Sequence, residues 1–184
     1  MTGTAPPHKR LPPAPDSLPS ETLAEAFHRL MGDLLGACHL VYGERLISVV
    51  VFGSVGRRKP RPDSDIDLLL VADSLPVGRM RRVEEFCRVE EHLRGTLLAA
   101  RAAGVHTYLS PVLKTPAEVR GGSPLFLDML EDACVLFDRH GFFASEMEAF
   151  RGRLARLGAR RVWRGEAWYW DLKPDYRPGE VFEL

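Results

Sequence analysis

Val49-Val50-Val51-Phe52-Gly53-Ser54 leads, after the loop 55–63, into Ser64-Asp65-Ile66-Asp67-Leu68-Leu69-Leu70-Val71. An apolar strand ends in Gly-Ser, and a second apolar strand opens on two aspartates one residue apart. Successive side chains of a strand point to opposite faces, so residues i and i+2 share a face. Asp65 and Asp67 are therefore expected to project together while Ile66 and Leu68 face a core. Two carboxylates on one face repel each other unless a cation sits between them. Their oxygens are hard ligands suited to Mg²⁺, which keeps several waters and binds one or two carboxylates plus substrate phosphates. Gly53 lets the backbone approach a ligand with no Cβ in the way. Ser54 adds a hydroxyl and a backbone N–H where a following helix presents its positive end to phosphate. The plainer alternative is a turn with both aspartates solvated at a strand edge. Aspartate is depleted in strands, however, and two at the mouth of so apolar a strand call for a reason.

Working outward, Ser20 is the expected cap of a helix over 20–42, with Leu23, Phe27, Leu30, Met31, Leu34, Leu35 and Cys38 on one stripe. Strands are expected at 46–52 and 65–72. A long helix over 79–103 carries Met80, Val83, Phe86, Cys87, Val89, Leu93 and Leu97, with Gly104 as its C-cap. A third strand is expected at 105–113. Thr115-Pro116-Ala117-Glu118 reads as a capping box with proline in the first turn. A short helix over 124–131, a strand over 134–137 and a helix over 145–157 follow. Strands 160–163 and 167–172 are expected to pair as a hairpin across Arg164-Gly165-Glu166. Apolar strands alternating with amphipathic helices point to an α+β fold: a mixed sheet carrying 46–52, 65–72 and 105–113, with helices 20–42 and 79–103 packed against it. Residues 1–19 hold Pro6, Pro7, Pro12, Pro13, Pro15 and Pro19 and read as a disordered leader. The expected division is this leader, a domain over 20–140 and a helix-hairpin extension over 141–184.

The chain has 184 residues, with 25 Lys and Arg against 25 Asp and Glu, so no global charge draws it to nucleic acid or membrane. Cys38, Cys87 and Cys134 are isolated and odd in number, which fits reduced thiols and a cytoplasmic location. No apolar run approaches the ~18 residues of a membrane span. Arg151, Arg153, Arg156, Arg160, Arg161 and Arg164 fall close to Trp163, Trp168 and Trp170. Arginine with interleaved aromatics over 151–170 is one way to hold single-stranded nucleic acid. The competing reading is a solvated helix face, with Trp168 and Trp170 covering a sheet.

Gly53, Ser54, Asp65 and Asp67 resemble the pattern of the DNA polymerase β-type nucleotidyltransferase superfamily and, within it, the minimal nucleotidyltransferase group. Arg57 matches the second arginine of that group's linker, while Val55 and Arg58 depart from its first arginine and its glycine. The resemblance implies a nucleotidyltransferase-type mixed sheet and Mg²⁺-dependent transfer of a nucleoside monophosphate from an NTP, expected to be ATP, to a hydroxyl of an unspecified acceptor. It implies Asp65 and Asp67 as metal ligands, Gly53 and Ser54 at the β- and γ-phosphates, and Arg57 across the triphosphate. It also implies a third carboxylate on the next strand, yet Val105-His106-Thr107-Tyr108-Leu109-Ser110-Pro111-Val112 contains no acid. His106, Tyr108 and Ser110 share a face by alternation. His106 is the candidate base or nitrogen ligand, against a structural role for the same side chain. The alternatives are an antitoxin-type enzyme that modifies a partner protein encoded nearby, and a degenerate module that binds nucleotide without turnover.

Overall fold

The computed structural model describes residues 22–165 and 167–182, without the side chains of 167 and 168. The leader and Ser20 lie outside the described residues. The first helix, α1 (Leu23–Tyr42), is capped by Thr22 instead, through a capping box with Glu25. The Glu25 carboxylate accepts the Thr22 N–H at 2.8 Å, and the Thr22 hydroxyl accepts the Glu25 N–H at 3.3 Å. The elements that follow are β1 (Leu46–Phe52), α2 (Gly53–Gly56), β2 (Ile66–Ala72), α3 (Arg79–Ala102) and β3 (Leu109–Lys114). After them come α4 (Pro116–Arg120), α5 (Met129–Asp132), β4 (Cys134–Asp138), α6 (Phe142–Leu157), β5 (Arg160–Arg164) and β6 (Ala167–Asp171).

The first four strands form one sheet in the order β3-β2-β1-β4. The β1–β2 and β1–β4 pairs are antiparallel, whereas β2 and β3 are parallel and joined by α3 as a crossover. The architecture is α+β with a mixed sheet, and β5 pairs with β6 as the expected hairpin. One face buries Val49, Val51, Ile66, Leu68 and Leu70 against α1 and α3. The other buries Val50, Phe52, Leu69 and Val71 against Phe126, Met129, Phe143, Met147 and Phe150. Burial on both faces explains why β1 and β2 read as continuous apolar runs and not as alternating patterns.

Several boundaries move, each for a local reason. The third strand starts at Leu109, not Val105, because the preceding backbone is used elsewhere. The Val105 N–H donates to Ala100 O at 2.9 Å and closes α3, and the His106 N–H donates to Pro62 O at 2.7 Å. The α3 cap is Ala103, with Gly104 following at φ 86°. On α3 the buried residues are Phe86, Val89, Leu93 and Ala100, whereas Met80 and Cys87 are exposed. The 124–131 segment splits into a 3-10 turn (Pro124–Asp128) and α5. The last long helix starts at Phe142, ahead of Ser145, because Asp138 accepts the N–H groups of Phe143 and Ala144 at 2.8 and 3.1 Å.

Arg82 locks the free edge of the sheet. Its guanidinium donates to Pro76 O at 2.8 Å, to Leu113 O at 3.1 Å, and to both oxygens of Glu118 at 2.7 and 3.0 Å. These bonds, with the Thr115 N–H adding to them against the opposing effect of partial burial, hold the Glu118 carboxyl down at about 2. The folded value lies below the ordinary ~4.3 of glutamate. The contribution is therefore complete above that value and lost as pH falls through about 2. The melting-temperature gap between this protein and Glu118→Gln should accordingly narrow on acidification from about pH 4.5 to about pH 3. A gap as wide at the acid end as at neutrality would show that this ion pair is not its source.

Candidate active site

The β1–α2 junction turns on glycine. Phe52 is still extended at φ −131°, and Gly53 then enters the left-handed region at φ 68°. The antiparallel register pairs Phe52 with Asp67, which brings Gly53 against that side chain. A Cβ on Gly53 would run into Asp67 Oδ2. Glycine is required there twice, by conformation and by space. Gly56, at the other end of the turn, is equally confined: a Cβ would lie 2.7 Å from Val51 O and 2.8 Å from Asp132 O. The turn is thus clamped between β1 and α5. Because α2 spans four residues, it offers the free N–H groups of a single turn and not the dipole of a long helix.

The loop that follows is closed by Ser64, a buried polar residue. Its hydroxyl accepts the Arg61 N–H at 2.9 Å and its own N–H donates to Arg61 O at 3.0 Å. Asp65 emerges from this closure exposed, immediately ahead of β2, while Asp67 is half-buried within β2. Asp67 shares the strand face of Leu69 and Val71, away from α1 and α3. Among the described residues neither aspartate has an ion-pair or hydrogen-bond partner for its carboxylate. Two unneutralised hard oxygen donors fit Mg²⁺, which completes its shell with water and phosphate. No group of three or more His, Cys, Asp or Glu side chains able to hold a metal occurs among the described residues.

The parallel register pairs Asp67 with Ser110, so a serine stands beside it where the resemblance implied an acid. Tyr108 precedes β3, 66% exposed, and its carbonyl accepts the Ile66 N–H at 2.8 Å. His106 lies further ahead, outside the β2–β3 ladder. It lines a cleft against α3, with Arg94 and Arg101. With β3 beginning at Leu109, the strand alternation that relates Ser110 to Asp67 does not extend to His106. Ser54 is half-buried on α2. Arg57 is exposed and caps α2, its N–H donating to Gly53 O at 3.1 Å. Its side chain lines a small hollow with Asp128, Glu131, Asp132, Arg161 and Trp170.

The arginine-rich C-terminal segment is largely engaged within the fold. Arg151 pairs with Glu148, Arg160 with Asp171 and Arg161 with Glu131, while Arg153 and Arg164 lie over the rings of Phe150 and Tyr169. Trp170 packs against the second core and Trp163 is exposed. No helix among the described residues is long and apolar enough to cross a membrane.

Residues 37–101 match a family model described as a nucleotidyltransferase domain. A Methanocaldococcus jannaschii protein, provisionally named a protein adenylyltransferase, is 27% identical over 135 residues, covering 71% of this chain and 84% of its own length. A crystal structure of a toxin–antitoxin with AMP-PNP aligns with a TM-score of 0.45 at 14% identity, over 70% of this chain and 92% of that one. A provisionally named nucleotidyltransferase from Sulfolobus solfataricus aligns with a TM-score of 0.41 at 18% identity, over 67% and 95%.

The close approach at Gly53 is directly testable. Gly53→Ala should lower the unfolding free energy by about 1–3 kcal/mol, from the positive φ and the enforced shift of Asp67. Chemical denaturation measures this, and a loss below about 0.5 kcal/mol would show that the turn relaxes freely.

Proposed function

We propose that this chain, which carries a nucleotidyltransferase domain over residues 37–101, transfers AMP from ATP to a hydroxyl on a protein acceptor. The observation that carries the reading is the pair Asp65, just ahead of β2, and Asp67, within it, both unneutralised among the described residues, with Gly53 packed against the second carboxylate. The name of the M. jannaschii relative supports a protein as acceptor and an adenylyl group as the unit moved.

In this reading the N–H groups of the α2 turn and the Ser54 hydroxyl hold the terminal phosphates, and Asp65 and Asp67 hold Mg²⁺. When bound, the ion supplies charge neutralisation at the phosphates and at the departing pyrophosphate. The acceptor oxygen forms a bond to the α-phosphorus. The bond from that phosphorus to the α–β bridging oxygen breaks, and its electron pair leaves on pyrophosphate. The hydroxyl proton passes to water. Positioning and charge carry such a transfer, with little covalent work for the protein. Ser110 offers no carboxylate to draw the proton, so the protein should hold nucleotide better than it turns it over. A missing general base typically costs ~10²–10⁴-fold in rate.

With Mg²⁺ present, ATP should raise the melting temperature, since a ligand that binds the folded state alone stabilises it. The double change Asp65→Asn and Asp67→Asn should remove that rise, together with labelling of protein acceptors in cell extract from ATP carrying a labelled α-phosphate. An unchanged thermal shift in the double variant would take these residues out of the site.

Ser110→Asp restores an acid beside Asp67. It should raise the labelling rate ~10-fold or more with little change in nucleotide affinity. A rate unchanged by Ser110→Asp would show that the acceptor proton is drawn from elsewhere.

A further inference from the structure

The short helix α2 ends in a cap that glycine ordinarily supplies. The Lys59 N–H donates to Ser54 O at 3.0 Å and the Arg58 N–H to Val55 O at 2.9 Å, the paired bonds of a Schellman cap. Its turning residue is Arg58, held at φ 58° in the left-handed region, which an L side chain enters only at a cost. Non-glycine residues kept in that region cluster at ligand clamps and switch segments. Among the described residues the exposed Arg58 guanidinium has no ion-pair or hydrogen-bond partner.

Arg58 lines a groove of about 550 Å³, a volume within the ~300–1,000 Å³ of small-molecule clefts. The groove lies where β4, an edge strand of the sheet, runs past α1. Phe27, Met31 and Leu35 of α1, Val55 of α2, and Cys134 and Leu136 of β4 form its apolar wall. Met31, Leu35, Cys134 and Leu136 are only half-buried, so an apolar body laid on them removes further surface from water. The charge is one-sided. Arg58 and His28 line the groove, His28 also without a partner among the described residues, and none of those residues brings an acid to it. The groove belongs to the α1 face of the sheet, away from Asp67, so it holds neither nucleotide nor acceptor. It meets the Gly53–Ser54 turn from behind, through Val55 and Arg58.

We propose that this groove is a regulatory site for a small acyl carboxylate, its chain laid along Phe27, Met31 and Leu136 and its head paired with Arg58. Charge complementarity sets the sign of the head: two cationic-type side chains and no acid repel a cationic amphiphile and leave a neutral one without a partner. The planar guanidinium fork matches a carboxylate. Ligand and phosphates would press on opposite sides of one turn. Occupation of the groove therefore changes nucleotide affinity, and nucleotide changes ligand affinity by the same factor. That coupling rests on the transferase reading above, whereas the binding of the carboxylate does not.

The test is isothermal titration calorimetry of the full chain with sodium decanoate, kept below its micellar range, and with decanol as the uncharged control. Decanoate should bind saturably, at least about tenfold more tightly than decanol. Arg58→Gly separates ligand binding from architecture. It should raise the melting temperature by about 2–4 °C by relieving the left-handed strain, yet weaken decanoate about tenfold. A merely structural Arg58 would give the first change without the second. Arg94→Gln, on α3 and outside the groove, should leave binding unchanged. No saturable binding of decanoate, equal binding of decanol, or full binding by Arg58→Gly overturns the inference. The Mg²⁺–ATP thermal shift, run with and without saturating decanoate, reads the coupling. An ATP increment that decanoate alters supports it, and one that decanoate leaves untouched overturns the regulatory role. No ATP increment while decanoate still binds removes the transferase reading and keeps the groove.

Discussion

Where Gly53 lies against the Asp67 carboxylate, the end of one strand and the mouth of the next stand closer than any other residue would permit. That proximity follows from the antiparallel β1–β2 register, which in turn depends on two strands buried on both faces. The register sets the height of the α2 turn relative to the aspartates. Gly56, wedged against Val51 O and Asp132 O, sets its tilt. The second core therefore has a task beyond stability. By seating α5 against Gly56 it fixes how the turn stands relative to β2 and the Asp67 side chain.

The fold was legible in the sequence wherever burial imposes a pattern. β1 and β2 are apolar on every position because both faces are covered, and α1 shows a single stripe because one face is. Thr115 and Glu118 announced α4 by a local bond that the chain makes with itself. What could not be read depended on partners distant in sequence. Val105 and His106 have the composition of a strand, yet their N–H groups are bonded to the end of α3 and to Pro62. The start of α6 is set by Asp138, whose carboxylate also accepts the Ser48 hydroxyl from β1 at 2.8 Å.

The candidate site divides along the same line. Gly53 follows β1 and Asp67 lies in β2, consecutive antiparallel strands joined by one short loop, so spacing alone was enough to set them side by side. Ser110 and Asp67 are neighbours only through a parallel register that no short-range signal encodes. His106 illustrates the cost of a misplaced strand start: moving the boundary shifts a side chain from the sheet to the cleft against α3. The C-terminal arginines carried a signal that composition could not resolve, because a paired and an unpaired arginine are the same letter. Glu131, Glu148 and Asp171 pair with three of them, and all three acids lie in ordinary-looking positions.

The free edge of β3 has one more consequence. A strand with an open row of backbone donors and acceptors is a template on which another molecule can grow, and in a parallel pair the row is regular. Here Pro111 deletes a donor from the middle of the row, and Arg82 occupies the Leu113 carbonyl near its end. Both devices interrupt the template without burying it. The chain thereby keeps an accessible groove beside an edge whose hydrogen-bonding row is broken twice.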